Sequence, residues 1–214
     1  KSKMLWQFLK KQRIYYKYRI CMMDPSYNQP GSIDFSGMAI LINVTLPPKM
    51  PAIYDNMFKG CYSLSEITIP ESVTTIGTNS FAKYQRLKEI TIPDSVTKIG
   101  ANCFLECKKL EKVTLPYNFA SIENVTFSKC SLLKEIIIPA SVKTIGDGSF
   151  NECSQLVEIN IPEGVSEISN GSFNNCKSLT KVTLPSTIEK ISKEAFKDCQ
   201  LLNSINLPAS LKSI

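Results

Sequence analysis

Histidine is absent from this 214-residue chain. Its absence removes the usual general base near neutral pH, the commonest metal ligand and every Ser-His or Cys-His nucleophile. Paired carboxylates do not restore an active site, because the acids are scattered by the period described below. We therefore expect no enzyme, no catalytic residue, no metal and no cofactor. No run of roughly 18 apolar residues occurs, so no segment spans a bilayer as a helix. Residues 1–20 lack acids altogether while holding Lys1, Lys3, Lys10, Lys11, Arg13, Lys17 and Arg19; at an overall net charge of +6, the remainder therefore carries −1. A nucleic-acid surface needs a basic stripe, and the body has none.

What is present is a period. Pro47, Pro70, Pro93, Pro116, Pro139, Pro162, Pro185 and Pro208 each follow the last by 23 residues. Leu64, Leu87, Leu110, Leu133, Leu156, Leu179 and Leu202 stand six residues before a proline, and Val or Ile stands three before it. Each unit reads Leu-x-x-Ile-x-Ile-Pro, as in EITIP at Glu66–Pro70 and again at Glu89–Pro93. Ile67 and Ile69 alternate with Glu66 and Thr68, the pattern of a strand with one buried face. Proline closes that strand where no ladder donor is needed.

Val73 and Ile76, repeated as Val96 and Ile99, supply a second inward pair. Gly77, Gly100 and Gly146 follow, suited to a turn with positive φ, although Glu123, Ser169 and Ser192 hold the same place in other units. Phe104, Cys107 and Leu110 are spaced by three and recur in later units, which predicts a short 3₁₀-like segment aiming all three inward. A small residue usually precedes the Phe. No unit of 23 residues buries such a set alone, whereas stacked units build a continuous core from like columns.

The unit, extended as Leu-x-x-Ile-x-Ile-Pro-x-x-Val-x-x-Ile-Gly-x-x-x-Phe-x-x-Cys, resembles the BspA-type leucine-rich repeats of bacterial and protist surface proteins. The resemblance runs from about Asn43 to Ile214. It implies an α/β-type repeat solenoid with short strands and 3₁₀-like turns, cell-surface attachment, adhesion or host-protein binding, and nothing catalytic. The asparagine ladder of ordinary leucine-rich repeats is replaced by Ser72, Ser95, Asn118, Ser141, Gly164 and Thr187, which leaves backbone bonding at that corner open.

Six of the eight cysteines, Cys61, Cys107, Cys130, Cys153, Cys176 and Cys199, share one column. We read them as buried, unpaired thiols, since Tyr84 replaces Cys in one unit without breaking the period. Strand spacing of about 4.8 Å lies within disulfide range, so distance alone does not exclude pairing. Cys103 and Cys107 form a C-x-x-x-C with no second pair beside it.

Residues 1–40 do not fit the repeat and are expected to be a cap on the first coil, a basic amphipathic membrane-surface helix within 1–20, or an extension. MMDPSYNQPGS reads as a linker to the solenoid at 41–214. That solenoid ends in an incomplete coil, as in a fragment of a longer array. Sequons at Asn43, Asn124 and Asn170 bear slightly on secretion.

Outward positions of the strand phrase also align. Thr68, Thr91, Thr114, Ile137, Asn160 and Thr183 form one row, with Glu89, Lys112 and Glu135 in the next. These nine are the expected contacts for a protein partner, with Ile137 the one aliphatic in its row. An extracellular-matrix or host surface protein is the expected partner, with no nucleic acid and no small-molecule substrate; membrane contact is left to residues 1–20. Two functions stand: a cell-surface or secreted adhesion module, and a cytoplasmic scaffold built on the same repeat.

Overall fold

The structure, a computed structural model, describes residues 34–214 together with the strands β1 (Ile14–Lys17) and β2 (Ile20–Met23). β1 and β2 pair antiparallel, and β2 runs parallel to β3 (Asn43–Thr45), with Cys21 opposite Val44. The helix expected in residues 1–20 is thus replaced by strand at 14–17, where Ile14, Tyr15 and Tyr16 favour extended backbone. The rest of that helix and the linker lie outside the described residues.

From Phe35 onward the chain winds as stacked coils with the 23-residue spacing. One row of short strands carries the Ile-x-Ile phrase: β6 (Glu89–Thr91), β8 (Lys112–Thr114), β11 (Glu158–Asn160) and β13 (Lys181–Thr183), each exposed, buried, exposed along its three residues. A second row follows the prolines: β4 (Ala52–Ile53), β5 (Thr75–Ile76), β7 (Lys98–Ile99), β9 (Ser121–Ile122), β10 (Thr144–Ile145), β12 (Glu167–Ile168) and β14 (Lys190–Ile191). Within both rows the pairing is parallel and in register, with Ile90 opposite Val113 and Ile76 opposite Ile99.

No helix occurs among the described residues, so the α component of the expected class and its 3₁₀ segments are not seen. The Phe-x-x-Cys-x-x-Leu stretch is instead a run of single turns shared between coils. The amides of Ser128 and Cys130 donate back within the coil to Val125 and Phe127, as a 3₁₀ helix would require. The alternate amides of Val125, Phe127 and Lys129 donate forward to the carbonyls of Asp147, Ser149 and Asn151 in the next coil at 2.7–2.9 Å. Val125 and Lys129 reach this arrangement at φ of 62°, and Asn102 and Glu106 do so at 58° and 61°. Alternation of the donors is what prevents a helix: half the amides serve the neighbouring coil.

This turn ladder is the most continuous seam of the molecule and encloses an aromatic column. Phe35, Phe58, Phe81, Phe104, Phe127, Phe150, Phe173 and Phe196 stack with centroids 5.2–6.0 Å apart and planes within 16° of parallel. Each stacked pair adds about 0.5–1.5 kcal/mol to what burial itself supplies. Leu, Val and Ile from both strand rows fill the other side, nearly all fully buried.

The glycine column has a different cause from the one its sequence suggests. Gly77, Gly100 and Gly146 are not among the residues with positive φ. They lie against the preceding coil: a Cβ on Gly100 would stand 2.5 Å from the Thr78 amide nitrogen, and one on Gly146 would meet the Asn124 side-chain oxygen. Close approach lets the Gly100 amide donate to the Ile76 carbonyl and that of Gly146 to Ile122, both at 2.8 Å. Where Glu123 and Ser169 replace glycine, the second strand row parts, between β7 and β9 and between β10 and β12. Ser192 keeps the bond, donating from its amide to Ile168 at 2.8 Å.

The corner without an asparagine ladder is held by hydroxyls. Ser72, Ser95, Ser141, Thr187 and Ser210 donate to the carbonyls of Met50, Val73, Phe119, Val165 and Ile188 in the preceding coil at 2.6–2.8 Å.

Candidate functional site

The strand row presents a regular exposed face, and all nine residues expected to contact a partner lie on it: Thr68, Thr91, Thr114, Ile137, Asn160, Thr183, Glu89, Lys112 and Glu135 are exposed. The alternation that buries Ile136 and Ile138 turns Ile137 outward to 85% exposure, the highest of any large apolar side chain among the described residues.

The face is not a continuous sheet. β6 pairs with β8 and β11 with β13, but the strand phrases at 66–68 and 135–137 are not paired as strands. Among the described residues no backbone hydrogen bond joins 134–139 to 111–116. A cleft of about 430 Å³ opens at that seam, with Lys112–Leu115 on one wall and Glu135–Ile137 on the other. Pro139, Ala140 and Ser141 close one end, where Tyr117 stands 63% exposed. Val113 and Ile136, both buried, are among its lining residues. A second opening of about 650 Å³ lies between Ser65–Ile69 and Lys88–Thr91 and is mixed in character, with Glu66, Glu71, Arg86, Lys88 and Glu89 on its walls beside Ile67 and Ile69.

Tyr117 was not among the residues singled out from the sequence. The signal lay in its column, where Tyr117 and Ala140 interrupt the acids between Asp94 and Glu163, and where Tyr117 is the one aromatic. The structure joins that interruption to Ile137 across a single seam. The Asp94 carboxylate accepts the Tyr117 amide at 3.1 Å and so fixes the tyrosine backbone beside the cleft.

Among the described residues the thiols are the other groups that could carry chemistry. The column thiols are buried, apart from the half-buried Cys199, and all seven described cysteines are free. Burial pushes the Cys61 and Cys107 thiols up to about 12, which withholds the reactive thiolate. Among the described residues no group of three His, Cys, Asp or Glu could hold a metal ion. Glu167 is held below its ordinary value by the Ser192 hydroxyl and the Lys190 ammonium, at 2.6 and 2.9 Å.

The profile of the BspA type leucine rich repeat region, in six copies, matches residues 26–134 and 120–214. Among solved structures, a leucine-rich repeat protein of T. pallidum is 26% identical, with 90% of this chain and 88% of that one covered and a TM-score of 0.73. A leucine-rich repeat protein of Bacteroides ovatus is 24% identical over 87% of this chain and 66% of that one, with a TM-score of 0.52. The pneumococcal vaccine antigen PcpA is 20% identical over 86% of this chain and 61% of that one, also with a TM-score of 0.52. The chain thus spans just under two thirds of the latter two, and both share its fold. No curated protein matches it.

Proposed function

The chain belongs to the BspA-type leucine-rich repeat family, and from that premise we propose that it is a non-enzymatic protein-binding module that takes its partner on the strand face, at a cell surface. The observation that carries this is Ile137: 85% exposed, in the middle of a polar row, beside a cleft with Tyr117 at its edge. An aliphatic side chain held in water beside the buried Ile136 and Ile138 has no role in the core, and a regular surface is what a stacked-coil protein offers a partner. Residues 1–40 act in this proposal as the cap, with β2 extending the strand row ahead of β3. Surface location draws on what the BspA-type repeat implies. A second reading is an intracellular scaffold, since the free, buried thiols suit a reducing compartment as well as an oxidising one.

The test is binding to immobilised extracellular-matrix proteins by wild type, Ile137→Glu and the turn-edge variant Lys193→Ala at matched concentration. Loss in Ile137→Glu alone, with unchanged melting, supports the strand face. Loss in Lys193→Ala alone moves the site to the opposite edge. A wild type that binds none of these proteins shifts the weight to the scaffold.

A further inference from the structure

We propose that the cleft between Lys112–Leu115 and Glu135–Ser141 receives one aromatic or aliphatic side chain from a positively charged segment of the partner protein. The proposal rests on the strand-face reading and adds the chemical class of what binds there.

The cleft itself selects an apolar anchor. Its walls include Val113, Leu115, Ile136, Ile137, Pro139 and Ala140, with Tyr117 at the end. Its polar members offer little to a small polar ligand. The Ser141 hydroxyl is already committed to the carbonyls of Tyr117 and Phe119, at 2.6 and 2.8 Å. Lys112, Thr114 and Glu135 stand at the rim with their polar ends in water. At about 430 Å³ the cleft is within the range of sites that bury a ligand group.

Charge around the cleft then selects the chain that carries the anchor. On the strand row Glu66, Glu89, Glu135 and Glu158 oppose only Lys112 and Lys181. Along the corner after the prolines Glu71, Asp94 and Glu163 stand with no base in the column. The other border, with Arg86, Lys88, Glu111 and Lys134, adds back two positive charges, which leaves the face net acidic around an apolar centre. The ordered Asp94 carboxylate lies one residue contact from the cleft, through the Tyr117 amide. A basic segment gains from this field in encounter rate and in orientation, and an acidic one is repelled. The same acids disfavour docking on an anionic lipid surface.

Two fluorescein-labelled peptides test the idea, identical in a central Phe but flanked by lysines in one and by glutamates in the other. Anisotropy is read with the whole chain, wild type, Ile137→Ser and Tyr117→Ala, whose melting curves verify folding. The lysine peptide is expected to bind, to weaken at least tenfold between 50 and 500 mM salt, and to weaken at least fivefold in each variant. Replacing its Phe by Gly should abolish binding. If the glutamate peptide binds as well and is lost in Ile137→Ser, the basic class is wrong while the strand-face site stands. If the lysine peptide binds all three proteins alike, both are wrong. Binding of neither peptide overturns the proposal.

Discussion

The thiol of Cys130 donates to the backbone carbonyl of Phe104, one coil earlier, at 3.2 Å. The same bond recurs from Cys107 to Phe81, Cys153 to Phe127, Cys176 to Phe150 and Cys199 to Phe173, at 3.1–3.2 Å. The relationship explains why the column is Cys: the side chain is small and apolar enough for the core, yet carries a donor for a carbonyl that, at Phe104, Phe127, Phe150 and Phe173, already accepts one amide from its own coil. Thiols engaged this way remain apart from one another. Titration of the denatured, unreduced protein should return close to eight free thiols per chain, whereas in the native state Cys199, the least buried of the column, should react first. A return near two would show that the column pairs.

Alkaline pH should unfold the protein through the same residues. Burial raises the Cys61 and Cys107 thiols from an ordinary value of 9.0 to about 12 in the folded chain. The stability involved is fully present below pH 9 and is lost as pH rises from there toward 12, because only the unfolded chain releases these protons in that window. One unit above the unfolded value, each such thiol costs about 1.4 kcal/mol of stability. Denaturant midpoints measured from pH 7.5 to 10.5 should fall, and Cys107→Ala should show a shallower slope whatever its stability at pH 7.5. An identical slope would mean that Cys107 ionises as easily when folded.

Tyr84 is the exception in the cysteine column, and its hydroxyl is buried with no hydrogen-bond partner. Its ring still packs, meeting Phe81 edge-on with centroids 5.7 Å apart. An unpaired buried hydroxyl costs roughly 1–3 kcal/mol, so Tyr84→Phe should be neutral or stabilising by about 1 kcal/mol in equilibrium unfolding. A loss above about 1 kcal/mol would indicate that the hydroxyl is satisfied.

The two faces of the strand row separate cleanly in energy. Ile136, 7% exposed, lies in the stack, while its neighbour Glu135 is in solvent. Ile136→Asp buries an uncompensated charge and should cost more than about 3 kcal/mol, and Glu135→Ala less than about 0.5 kcal/mol. Comparable shifts in melting would mean that the faces are inverted.

The columns were legible because every coil repeats them in the same environment. Leu110, Val113 and Phe104 are buried for the reason that Leu133, Ile136 and Phe127 are, and a fixed period reveals it without coordinates. The missing helix was not legible, since the spacing of Phe104, Cys107 and Leu110 is shared by a 3₁₀ helix and by turns whose alternate amides serve the next coil. The seam beside Ile137 was equally hidden. It depends on how two neighbouring coils part, and no single column encodes that; the one aromatic of its column, Tyr117, marked the place without its cause.

The glycine column offers the sharpest test of contact against conformation. Gly100 is ringed by the preceding coil, with Thr78 N at 2.5 Å and the Gly77 carbonyl carbon at 2.8 Å from where a Cβ would sit, and these are backbone atoms that cannot rotate away. Gly148 is the reverse case: its φ is +58°, and the nearest atoms to a Cβ are side-chain carbons at 3.8 Å. Strain at a single left-handed residue amounts to about 1–2 kcal/mol, and Val125 already tolerates that conformation at the equivalent place. Gly100→Ala must instead push two coils apart, breaking the bond from the Gly100 amide to Ile76 and the registry of β5 with β7. Equilibrium unfolding should therefore show Gly100→Ala costing upwards of about 3 kcal/mol and Gly148→Ala about 1–2 kcal/mol. Equal losses, or a larger one at Gly148, would return the column to a conformational cause.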